Sequence, residues 1–187
     1  MAILDFIKGL FKKEEDLAEK SVQKLMTLAQ EERDRGIRDF LYQFCFDNAA
    51  KFVHEEMHRQ GSPFVDLPRD HFFSEILLMN FWMVDKVFKK HMPGLAAKLH
   101  RRYFGTITDA AGAADGMAER FKTYYSEWDD YTGHQDLFGA KAGELLFFNS
   151  TSGYPVPEVS FWIISYADEA IKALKKIRKA YREAKIL

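Results

Sequence analysis

Residues 70–91 leave no wide polar face on which a helix could meet water. Phe72, Phe73, Ile76, Leu77, Leu78, Met79, Phe81, Trp82, Met83 and Val84 are spread round the circumference of a 3.6-residue repeat. Such a segment is stable only when other elements cover it, so the chain must build a core around it. Pro93-Gly94 ends it. Its most apolar part, residues 76–84, holds Asn80 and stops at Asp85, well short of the roughly 20 residues a bilayer crossing needs.

The remaining stripes also have helical spacing. Ile3, Leu4, Phe6, Ile7, Leu10 and Phe11 share one side of the first segment, with Asp5, Lys8, Lys12 and Lys13 on the other. Ala18, Val22, Leu25 and Ala29 give residues 14–35 a narrow inner face, and Gly36 is expected to break that helix. Residues 37–59 make a third helix, apolar nearly all round from Phe40 to Phe46 and polar on one side from Lys51 onward. Gly61-Ser62-Pro63 closes it, and Pro68 helps to open the segment without a polar side.

A short basic helix is expected over residues 95–104. Residues 105–116, rich in Ala, Gly and Thr, read as a flexible connection. Met117, Phe121, Tyr124, Tyr125 and Trp128 mark the next helix, and residues 134–148 another. After a polar loop at 149–155, Pro157 suits the first turn of the last helix, where an N–H would have no partner. There Ile163, Ala167, Ala170, Leu174, Ile177 and Tyr181 recur at alternating four- and three-residue steps. That heptad-like seam is too short for a free coiled coil and suits packing inside a bundle.

These stripes predict an all-α fold, an irregular bundle of about six or seven helices around an aromatic-rich core. Residues 1–13 form an amphipathic N-terminal helix and residues 14–187 a single helical domain. With 17 Phe and 47% hydrophobic residues in 187, the chain is far too apolar to stay disordered. Asp5 and Lys8 interrupt the first apolar stretch, so no secretory signal is expected. The lone Cys45 lies in an apolar run and can make no internal disulfide, which suits a reducing, cytoplasmic setting. No cation near it in sequence lowers its pKa, so it reads as an inert thiol.

The sharpest motif is His54-Glu55-Glu56-Met57-His58, an H-E-x-x-H pattern on a helix. Residues four apart share a helix face, so His54 and His58 could grip one zinc while Glu55 acts as base on its water. Gly61 falls where the longer zincin pattern has glycine, but Phe64 stands where that pattern has its third His. Glu56 and Arg59 put charges at positions usually neutral there, and only His71 and Glu75 offer further ligands. Glu55 and His58 also make the Glu-x-x-His unit of di-iron bundles, but no second copy exists in the chain. The solvated helix face is therefore the preferred reading, and no cofactor is expected.

Three other features have bland readings that are preferred. Glu75 and Asn80, inside the most apolar helix, suit a paired carboxylate and a buried hydrogen bond better than acid–base catalysis. Gly139 and Gly143, with Ala140 and Ala142, suit close helix packing. From Lys172 to Leu187 there are seven Lys or Arg against one Glu, and residues 109–136 hold seven acids against two bases. Cations near a helix C-terminus complement its dipole, and the two regions complement one another within the fold or between subunits.

A formal net charge of −1 gives no global attraction to polyanions, and no nucleic-acid module is present. The leading expectation is a non-enzymatic helical protein-interaction domain, an adaptor or assembly unit that binds a protein partner or itself. Ile3, Phe6, Ile7, Leu10 and Phe11 are its candidate interaction residues, since a short helix cannot leave so many large apolar groups in water. The alternatives are a zinc-dependent hydrolase using His54, Glu55 and His58, and a peripheral membrane protein using residues 1–13. Nucleic acid is not an expected partner.

Overall fold

The computed structural model describes Ile7, Gly9, Phe11 and residues 14–104, 110–129, 136–148 and 156–187. Among them are seven helices and no strand. They are α1 (Glu14–Met26), α2 (Gln30–His58), α3 (Arg69–Phe88), α4 (Leu95–Phe104), α5 (Ala110–Asp129), α6 (Asp136–Leu146) and α7 (Val156–Glu183). The fold is all-α, with aromatic clusters buried in its core.

Helix α3 is the segment without a polar side, and it is surrounded as that pattern requires. From Glu75 to Val84 every residue is buried, and α2, α4, α5, α6 and α7 all touch it. Trp82 is enclosed by Tyr124, Tyr125 and Trp128 of α5 and Phe138 of α6, with ring centroids 5.1–5.8 Å away. The pairs with α5 are edge-on and the pair with Phe138 is stacked, and such ring pairs add to the burial of the rings themselves. The buried apolar residues form one cluster that runs from Ile7 to Ile186.

The seam of α7 is as its spacing predicts, with Ile163, Ala167, Ala170, Leu174, Ile177 and Tyr181 all buried. The helix ends in a Schellman-type closure, in which the Ile186 N–H donates to the Tyr181 carbonyl (2.8 Å). Lys185 takes the left-handed position (φ 55°), and Ile186 is buried beyond it.

Two element boundaries differ from the sequence expectation. Gly36 does not break a helix: α1 stops at Met26 and α2 runs through Gly36 from Gln30. The break falls at residues 27–29, where the Thr27 hydroxyl donates to the Lys24 carbonyl (2.7 Å) and Arg33 Nε to the Leu28 carbonyl (3.2 Å). Ala29, expected on an inner face, is the exposed N-cap of α2. Glycine at 36 lets the two helices approach, because a Cβ there would lie 2.4 Å from the tip of the Leu25 side chain, which would have to turn aside. Residues 110–116, read as connection, are the start of α5. Their four alanines favour helix and outweigh Gly112 and Gly116.

Candidate functional site

The H-E-x-x-H segment is the last turn and a half of α2. His54 and His58 are exposed and lie side by side, their ring centroids 4.5 Å apart. His58 Nδ1 donates to the His54 carbonyl (2.6 Å), which ties that nitrogen to the backbone. Glu55 is half-buried. The proposed extra ligands are elsewhere: His71 Nε2 lies 2.9 Å from the Leu146 carbonyl oxygen, and Glu75 pairs with Arg120. Among the described residues no three His, Cys, Asp or Glu side chains are grouped to hold a metal ion.

The residue of this motif that turns inward is Glu56, which is fully buried. One of its oxygens takes bonds from Arg59 Nη2 and from the Ser62 hydroxyl (2.8 Å). Oε1 and Arg59 Nε have no hydrogen-bond partner among the described residues. The Arg59 guanidinium stacks 3.9 Å above the Trp162 ring of α7. Burial pushes the Glu56 carboxyl above the usual carboxylate range, against the pull of Arg59 and Ser62. This cluster fastens the end of α2 and the following turn onto α7. Sequence reading missed it, although Cys45, Ala49, Phe52 and Glu56 follow one inward stripe.

Glu75 and Asn80 have structural partners. Glu75 is joined to Arg120 of α5, and the phenol of Tyr124 beside them is held neutral chiefly by burial. Asn80 donates to the Cys45 carbonyl of α2 (2.8 Å) and accepts from the Tyr166 hydroxyl of α7 (2.9 Å). One buried amide thus ties three helices in register. Gly139 and Gly143 are buried on α6, and a Cβ on Gly139 would stand 2.8 Å from the Ser160 carbonyl oxygen, so α6 meets α7 as closely as small residues permit.

Of the N-terminal interaction residues, Ile7 and Phe11 are helical and buried in the core, and Phe11 packs on Tyr166 of α7 (5.6 Å). Ile3, Phe6 and Leu10 lie outside the described residues. No helix among the described residues is long and apolar enough to cross a membrane.

An open groove lies between α1 and α2. Leu17, Lys20, Ser21, Lys24, Leu25 and Leu28 form one wall, and Glu32, Arg35, Gly36, Asp39, Phe40 and Gln43 the other, around about 570 Å³. Both walls follow the steps of a single helix face, and both begin at the hairpin turn. The helices touch at its narrow end, where Gly36 meets Leu25. The base is anchored to α7: the Ser21 and Tyr181 hydroxyls are 2.9 Å apart, and Phe40 packs edge-on against Tyr181 (6.2 Å). Burial pushes the Tyr181 phenol up, so it stays neutral. Leu17 is 47% exposed on the wall.

Groove residues cannot be told from ordinary surface in the sequence, because seven of the twelve are charged or polar. Their only signal is the unfinished apolar stripe of α1, where Leu17 continues the row of Leu25 and Leu28. No known protein family, curated protein or solved structure matches the chain.

Proposed function

We propose that the protein is a non-enzymatic helical interaction module which receives an amphipathic helix of a partner protein between α1 and α2. The observation that carries this reading is the groove itself, apolar along Leu17, Leu25, Leu28 and Phe40 and braced from beneath by Tyr181. Three recognition modes compete for such a surface. Strand addition needs a free sheet edge, and the described residues contain no strand. Polyproline binding needs aromatic slots, whereas Phe40 is the one aromatic ring on these walls. A helix laid between two helices uses the ridges and grooves already present. The helical part of the wall, from Leu17 to Leu25, spans roughly 12 Å at 1.5 Å per residue, which matches about two helical turns. The buried, single cysteine suits a module working in the reducing cytoplasm.

The test is a selection from a displayed library of amphipathic helices, followed by competition with point variants. Leu17→Asp should abolish binding of the selected helices without lowering the melting temperature, since Leu17 is half exposed. Phe161→Asp, on an exposed position of α7 away from the groove, should leave binding unchanged. Binders indifferent to Leu17→Asp, or a library that yields none, would remove this reading.

A further inference from the structure

The rim of the groove carries charge in a pattern that specifies more than an apolar stripe. On the α1 wall, Lys20 and Lys24 stand one turn apart, both exposed and both without an ion-pair partner among the described residues. The α2 wall presents Glu32, Arg35 and Asp39 in succession. Asp39 is already engaged by Arg102 of α4, which leaves Arg35 as a further cation and Glu32 as an acid without an ion-pair partner among the described residues. The groove is therefore edged by cations more than by acids, although the whole chain has a net charge of −1.

We infer that the occupant of this groove is an acidic amphipathic helix from another protein, with two carboxylates one turn apart on the edge that faces α1. This rests on the groove reading above and adds the chemistry of the partner. Side chains four apart on a helix sit about 6 Å from each other, so a Glu or Asp pair at i and i+4 matches the spacing of Lys20 and Lys24. The long alkyl stems of the two lysines line the apolar wall while their ammonium groups stay at the rim, so ion pairs form there without desolvating a charge. A further acid on the opposite edge meets Arg35. Rim pairs of this kind set partner choice and association rate more than total affinity. A helix with lysines on the same edge would meet Lys20 and Lys24 at like charge.

The experiment compares two synthetic peptides with one leucine stripe at helical spacing, one flanked by Glu and the other by Lys. Fluorescence anisotropy should show the Glu peptide binding roughly tenfold tighter at low salt, as expected for two or three exposed pairs. The gap should close as salt shortens the screening length to a few ångströms. Lys20→Glu combined with Lys24→Glu, two exposed changes that leave the core untouched, should reverse the preference. Equal binding of both peptides, lost in Leu17→Asp, would overturn the acidic preference and leave the groove reading intact. A Glu preference that survives Leu17→Asp would place the contact outside the groove and overturn the inference. Binding of neither peptide would sink both readings.

Discussion

Gly139 and Gly36 each let one helix lie close against another, but they face different walls. A Cβ on Gly139 would meet the Ser160 carbonyl oxygen and Ile164 Cδ1, both at 2.8 Å. A Cβ on Gly36 would meet the tips of Leu25 (2.4 Å) and Leu28 (3.2 Å). The first wall is partly backbone inside a sealed contact between α6 and α7. The second is the end of two flexible side chains bordering an open groove. The difference divides the molecule: α3, α6 and α7 are packed to the limit around one seam, while α1 and α2 touch at one end and leave space along the rest. Close packing in one region leaves little freedom for a local change, whereas space beside Leu25 lets a side chain move without disturbing the bundle.

The sealed region should fail most sharply where its charge is unmasked. Arg120→Ala leaves the buried Glu75 carboxylate without its cation, and breaking such a pair costs about 3 kcal/mol or more. Chemical denaturation would read this directly, and adding Glu75→Gln in the same chain should recover most of the loss. A near-neutral Arg120→Ala would mean that water reaches Glu75, and the contrast between a sealed and an open region would break.

The two glycines themselves give the next largest effect. Gly139→Ala should cost about 1–3 kcal/mol, because overpacking against a carbonyl exceeds the helix-propensity gain of roughly 1 kcal/mol. Gly36→Ala should change stability by less than about 1 kcal/mol, since the same propensity gain offsets the rotation of Leu25 toward the groove. Equal losses in the two variants would show that Leu25 has nowhere to turn.

Sequence reading succeeded where a pattern is local and repeats. The missing polar side of α3 and the six seam residues of α7 declare burial through spacing alone. It failed where the reason for a residue lies across a contact. Gly36 looks like a breaker until Leu25 is seen opposite it, and the real break at residues 27–29 contains neither Gly nor Pro. Glu56 was read with the histidines beside it as part of an outward face, yet it occupies the inward stripe and is stabilised by Arg59 and Ser62. The groove has only the faint signature of Leu17, because it is made by residues of two helices together rather than by either alone.

Glu56 offers the smallest effect and the finest test of how tightly the closed side is sealed. Burial is the largest influence on its carboxyl and raises its pKa, while bonds from Arg59 and Ser62 and the charge of Arg59 act in the opposite direction, and the neighbouring Glu55 charge adds to the rise. The folded protein therefore holds this proton more tightly than the unfolded chain does. As pH climbs from the ordinary carboxylate value of about 4.3 toward the raised folded value, the unfolded chain releases its proton first and stability falls. Below that window the group is neutral in both states; above it, the full cost of the buried charge is present. Glu56→Gln imitates the neutral form and does not titrate. Its melting temperature should match the parent chain near pH 3.5 and exceed it by a gap that opens as pH rises to 7, with all other titrations cancelling in the difference. A gap of opposite sign would mean that the ion pair with Arg59 outweighs burial. The end of α2 would then be wetter than the contact between α6 and α7, and the boundary between the open and closed regions would have to be redrawn to place this turn on the open side.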